Sequence, residues 1–262
     1  MPGAHHPQVA LVEWVIAAGA AAAVTAYLLA AARLRRRGDA WPVLRDLSFL
    51  AGGGALVWAL LGHLPGGPFT AHMAQHLVVA MAAPLSLVLG RPLTLLLRVL
   101  PPRGTRRTLL AAARARPVRW LLFPPAAAVL DVGGLWLLYR TPLAASHHPL
   151  AQVHVLLAGL LFTFAVCQLD PVRHRWSLAW RGLTLLGAGA AHAVLAKSLY
   201  AAPPPGTAYA ATDLHTGSQL MYYGGDLVEL ALAAVLATQW YRATGRALRR
   251  STMATRPTVS AE

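Results

Sequence analysis

The chain has 262 residues, 56% of them hydrophobic and 12% charged, about half the charged share of an ordinary soluble domain, which excludes a surface built for water. Lys and Arg number 23 against 9 Asp and Glu, a formal net charge of +14. The basic residues stand in short clusters between apolar runs, where they mark cytoplasmic loops, so the charge implies no nucleic-acid partner. The single cysteine, Cys167, excludes a disulfide framework and any Cys-based metal motif.

A bilayer's hydrocarbon core is crossed by about 20 predominantly apolar helical residues. Seven stretches meet that length, at 9–32, 44–64, 72–97, 118–139, 149–169, 180–201 and 216–241. The expected fold is therefore all-α, an integral membrane bundle of seven transmembrane helices set in lipid. It occupies residues 1–250, and the small polar residues 251–262 form a disordered tail. Of the 23 basic residues, 21 fall in the loops after the first, third and fifth spans and in the tail, whereas Arg140 stands alone on the other side and Lys197 lies in a span. The positive-inside rule then sets the N-terminus outside and the C-terminus in the cytoplasm of a multi-pass protein of the cell membrane. No Lys or Arg precedes the first apolar run, so that run reads as a retained helix rather than a signal peptide. Pro84 in the third span, and Pro124 and Pro125 in the fourth, remove backbone donors and predict kinks. Gly133, Gly134 and the small-residue run 187–191 predict close helix packing.

The 11 histidines are distributed unevenly. With this orientation only His174 is cytoplasmic; His5, His6, His63, His72, His76, His147, His148, His154, His192 and His215 fall outside or in the outer half of a span. Polar groups at membrane depth need partners, which makes residues held there functional candidates. His72 and His76, spaced i, i+4, share one helical face and are able to share one metal ion. His154 lies one turn inside the fifth span, and His192 lies about 12 Å below the outer end of the sixth. In the last span His215, Gln219, Tyr222, Asp226 and Glu229 recur at intervals of 4, 3, 4 and 3, a polar stripe about 21 Å long that must face the bundle interior. It reads either as a structural network or as a proton relay that also orients the imidazoles from behind. Met73 and Met221 are soft donors near the same outer layer. Imidazole suits copper, zinc, iron and nickel, and thioether shifts the preference toward Cu(I). Haem held between two facing histidines competes with copper at this level.

His72, Gln75 and His76 opening a span, then Pro84 and the exit Gly90-Arg91-Pro92, resemble the signature of the CtaG-like membrane assembly factors of cytochrome c oxidase. His154 with Gly159, the exit Asp170-Pro171, His192, Asp213 with Gly217, and Gly225-Asp226 continue the resemblance over residues 68–242. It implies a respiratory-chain maturation factor that supplies copper to a haem-copper oxidase from the outer face. The implied partners are oxidase subunits and an external copper donor. The expected ligands are His72, His76, His154, His192 and His215, with Asp213, Gln219, Tyr222, Asp226 and Glu229 as orienting or proton-carrying groups and Met73 and Met221 as soft ligands. Neutral imidazole binds the metal, so affinity falls as pH drops through about 6.5. Two alternatives stand beside this copper chaperone: a copper or proton transporter lined by the stripe of the last span, and a haem-binding membrane cytochrome using His154 and His192. No nucleophile elbow, Walker loop, dinucleotide fingerprint or HExxH stretch is present, so an enzyme is not expected.

Overall fold

A computed structural model describes residues 7–101, 104–113, 115–144, 149–171 and 175–254. His5, His6, His147, His148, His174 and residues 255–262 of the expected tail lie outside the described residues. Within them the chain is helical and carries no strand. Six helices are long and apolar enough to cross a membrane: Ala10–Arg36, Val43–Leu61, Pro68–Val99, Leu150–Cys167, Leu178–Ala201 and Ala211–Arg246. Large side chains such as Leu29, Leu157, Leu186 and Leu227 are exposed on their outer faces, as contact with lipid tails requires.

The elements in order are α1 (Pro7–Arg36), α2 (Val43–Leu61), α3 (Pro68–His76), α4 (Ala83–Leu89), α5 (Pro92–Val99), α6 (Thr105–Ala113), α7 (Arg116–Leu121), α8 (Pro124–Ala128), α9 (Gly134–Arg140), α10 (Pro149–Cys167), α11 (Leu178–Ala201) and α12 (Ala211–Ala254). A π-helical turn, Leu77–Ala82, joins α3 to α4, and a second, Val129–Gly133, joins α8 to α9. The first follows from a proline. Pro84 cannot donate a backbone hydrogen bond, and the turn before it widens to absorb the missing bond, so the expected kink appears as a π-turn.

The fourth expected span, 118–139, has other bounds. Phe123 is extended ahead of Pro124, as a residue preceding proline prefers, so the chain breaks there rather than kinking. What remains is a helical run of 17 residues, Pro124–Arg140. At one end Phe123 packs on Trp176 and Trp180 beside the start of α11. At the other, the Tyr139 hydroxyl meets His72 near the start of α3. The last helix is also longer than expected, continuing to Ala254 rather than stopping at 241.

Two aspartates tie the bundle ends. The Asp213 carboxylate accepts hydrogen bonds from Phe69 N (2.9 Å), Thr70 N (3.0 Å) and Thr70 Oγ1 (2.6 Å) at the start of α3. The Asp170 carboxylate does the same at the start of α5, with Leu93 N, Thr94 N and Thr94 Oγ1. Both helices begin with proline at a first-turn position, where its missing N–H is harmless, and the remaining amides need an acceptor. At the arginine-rich end the buried Arg181 donates to the carbonyls of Val166 and Cys167 and to Gln239 Oε1. It thereby closes the C-terminus of α10, where a cation is favoured. Close by, Arg35 pairs with Asp46, and Trp41 Nε1 donates to the same carboxylate. The core falls into three apolar clusters: one around Phe69, Met73, Leu195 and Met221 at the histidine-rich end, one around Phe162, Val166 and Leu232, and one around Tyr27, Phe49 and Leu95.

Candidate metal centre at the histidine-rich end

Two of the five expected ligands come together inside the bundle. His76 and His192, 5% and 3% exposed, lie with ring centroids 6.2 Å apart and planes within 25°. The Nε2 atom of each is buried without a hydrogen-bond partner. An unpaired buried polar atom is expensive, and here two occur side by side on different helices. His76 is the last residue of α3, immediately before the first π-turn, while His192 lies mid-way along α11. The His192 ring rests against Gly225 of α12, where a Cβ would collide with the ring. His192 Nδ1 faces Glu229 Oε1 at 3.6 Å, and the Glu229 carboxylate in turn fits only because Gly189 carries no side chain.

His72 is exposed and lies one turn nearer the end of the bundle, its Nε2 3.0 Å from the Tyr139 hydroxyl. Tyr139 itself is fully buried and sets its ring edge-on to both His72 and His76. Gln75, between the two histidines, donates to Glu13 of α1 and to the Ala59 carbonyl of α2, and accepts from Gln152 of α10. The short helix that carries the imidazoles is thus held from three sides. Tyr139 and this glutamine network were not among the expected site residues. The motif His72-Met73-Ala74-Gln75-His76 carries a signal for Gln75, and Tyr139 has none beyond its place near a span end.

Other expectations are redistributed. His154 is exposed on α10 with its Nε2 against Gly134, lining a surface groove with Leu130 and Leu137 rather than the buried pair. His215 stacks on Tyr200 of α11 at 4.1 Å. Among the described residues no three His, Cys, Asp or Glu side chains converge as a ready-made metal cage. The stripe of the last span is split: Gln219 is exposed, Tyr222 carries Lys197 over its ring at 5.2 Å, and Asp226 and Glu229 turn toward α11. The fully inward face of α12 lies one position round, at Leu214, Gly217, Ser218, Met221 and Gly225. Asp213 caps α3, its carboxylate bonded to Phe69 and Thr70. In the loop before α12, burial and the neighbouring Asp213 push the Tyr209 hydroxyl above its usual pKa. Met73 and Met221 are both fully buried in the apolar cluster at the histidine-rich end.

The chain matches the family model for the cytochrome c oxidase caa3 assembly factor over residues 25–243. Relatives include an uncharacterized protein of Mycobacterium bovis and one of Mycobacterium tuberculosis, each 32% identical over 253 residues, covering 86% of this chain and 38% of the relative. Another, from Mycobacterium leprae, is 28% identical over 243 residues, 82% of this chain and 37% of that protein. The chain therefore spans under two-fifths of the length of the curated relatives it matches. No solved structure matches it. The match covers most of the chain, which belongs to the caa3 oxidase assembly family and is a multi-pass membrane protein.

Proposed function

We propose that this member of the caa3 assembly family serves oxidase maturation as a non-catalytic factor, holding copper between His76 and His192 and passing it to an oxidase subunit. The observation that carries the reading is the pair of buried imidazoles with both Nε2 atoms unpartnered. Neutral imidazole is a copper ligand, and Met73 and Met221, buried together in the apolar cluster at the histidine-rich end, offer the thioether sulfur that favours Cu(I). Two strong ligands without a closed cage suit a cargo that must leave again. His72, exposed one turn above the pair, is placed to receive the ion first. A haem fits less well, because the space beside His192 is about 20 Å³, whereas even small ligand pockets measure roughly 300 Å³.

The site opens outward in this reading, with the N-terminus outside and the C-terminus in the cytoplasm. The run Pro124–Arg140 acts as a seventh crossing of about 25 Å, short but within the usual range. Its support is the pinning of its two ends at opposite ends of the bundle, by Trp176 and Trp180 and by His72. The copper content of detergent-purified protein after loading and chelator washing tests the reading. The parent should retain about one copper per chain, a His76→Ala, His192→Ala double variant none, and His154→Ala as much as the parent. Equal retention by parent and double variant would overturn it.

A further inference from the structure

On the arginine-rich side of His192 the helices line a small cavity of about 20 Å³. Both π-turns border it, the first through Ala80 and Met81 and the second through Asp131 and Val132. Its polar lining comes from four elements: Asp131, Thr163 of α10, His192 of α11 and Glu229 of α12. Neither carboxylate has a hydrogen-bond donor from the protein among the described residues. The 3.6 Å between His192 Nδ1 and Glu229 Oε1 exceeds a direct hydrogen bond. A polar contact just beyond that limit is where a bridging water belongs. A buried water needs about 10–15 Å³ and two to four polar partners, and this cavity meets both conditions.

We propose that the cavity is a binding site for one water molecule that joins Asp131 to Glu229 and His192, which makes Asp131 a positioning residue for the His192 imidazole. The inference rests on the copper reading. The water donates one hydrogen to each carboxylate and so holds Glu229 beside Nδ1. The water's oxygen accepts from His192 Nδ1–H, leaving the Nε2 lone pair of His192 for the metal. Metal-binding imidazoles depend on such a partner at their other nitrogen, and losing it weakens binding about 10- to 100-fold. Asp131 reaches the same imidazole only through the water, from a helical run separate from α11 and α12.

The test compares the full chain with Asp131→Asn, Asp131→Leu and Ala188→Val. Ala188 lines the cavity and carries no polar group, so its enlargement expels the water and leaves every hydrogen-bonding side chain in place. Cu(I) affinity is read by chelator competition, and the water by the O–H stretch that shifts when the sample is exchanged into 18O-labelled water. Asp131→Asn keeps an acceptor and should stay within about threefold of the parent, whereas Asp131→Leu and Ala188→Val should lose the isotope-shifted band and weaken copper about 10- to 100-fold. A parent that binds no copper defeats the reading underneath. A parent that binds copper while both cavity-filling variants bind equally well defeats the inference alone, as does an isotope-shifted band that survives in both.

Discussion

Replacing Asp213 by alanine removes three hydrogen bonds at once, from Phe69 N, Thr70 N and Thr70 Oγ1. Bonds to a charged acceptor are worth about 1.5–3 kcal/mol each when buried, but Asp213 is only partly buried and water can reach the freed amides. The ordinary cost of losing a helix cap, about 0.5–2 kcal/mol, is the better guide. The carboxylate also faces the positive end of α3, which adds about 0.3–1 kcal/mol. Together these predict a loss of about 2 kcal/mol for Asp213→Ala, and about half that for Asp213→Asn, which keeps an acceptor but not the charge. Reversible unfolding in mixed detergent, followed by circular dichroism, measures both. A double-mutant cycle with Thr70→Val should return a coupling of about 1 kcal/mol, since the two side chains bond directly. A loss under about 0.5 kcal/mol, or strict additivity in the cycle, would refute the capping argument.

Arg181→Met should destabilise the bundle by about 3 kcal/mol, because it strands the Val166 carbonyl and Gln239 Oε1, while the Cys167 carbonyl keeps Gln239 Nε2; Arg181→Lys should recover little, since one ammonium cannot replace the guanidinium fork. Full recovery by lysine in the same unfolding assay would count against that geometry. A membrane-impermeant maleimide applied to intact cells should label His63→Cys and Thr207→Cys but not Gly38→Cys, with fully buried Cys167 silent; labelling of Gly38→Cys in unbroken cells would reverse the proposed orientation. Tyr139→Phe, which deletes the hydroxyl on His72, should slow copper uptake several-fold in stopped-flow loading while leaving the final copper content at the parental level. A fall in final content would place Tyr139 in the retention site instead.

The long helices were legible because a bilayer imposes one coarse rule of length and apolarity, and among the described residues His63, His72, His76, His192 and His215 do lie toward one end of the bundle. The start of the fourth span was not legible, because Pro124 and Pro125 predicted a kink within one helix, whereas the residue ahead of Pro124 left the helical region altogether. The 4, 3, 4, 3 spacing in the last span does define a helical face, but it cannot rank that face against its neighbour. Gly217 and Gly225 took inward positions since α3 and the His192 ring approach too closely for a side chain there. His154 shares the depth of the other histidines, yet depth along a helix says nothing of the direction in which it faces. The capping role of Asp213 was foreshadowed by a repeated pattern, Gly67-Pro68-Phe69-Thr70 and Arg91-Pro92-Leu93-Thr94, whose shared Pro-x-Thr asks for an acceptor from elsewhere.

The two aspartate ties also set a schedule for biogenesis. Thr94 waits for a partner 76 residues later in the chain, and Thr70 for one 143 residues later. A nascent chain that has delivered α3 to the membrane therefore holds that helix with an unfinished end until α12 follows. His76 sits at the far end of the same helix and finds His192 only after α11 has been inserted, against a glycine of α12 that emerges later still. The buried imidazole pair is thus a property of the finished protein, and a ribosome-bound intermediate presents its histidines singly.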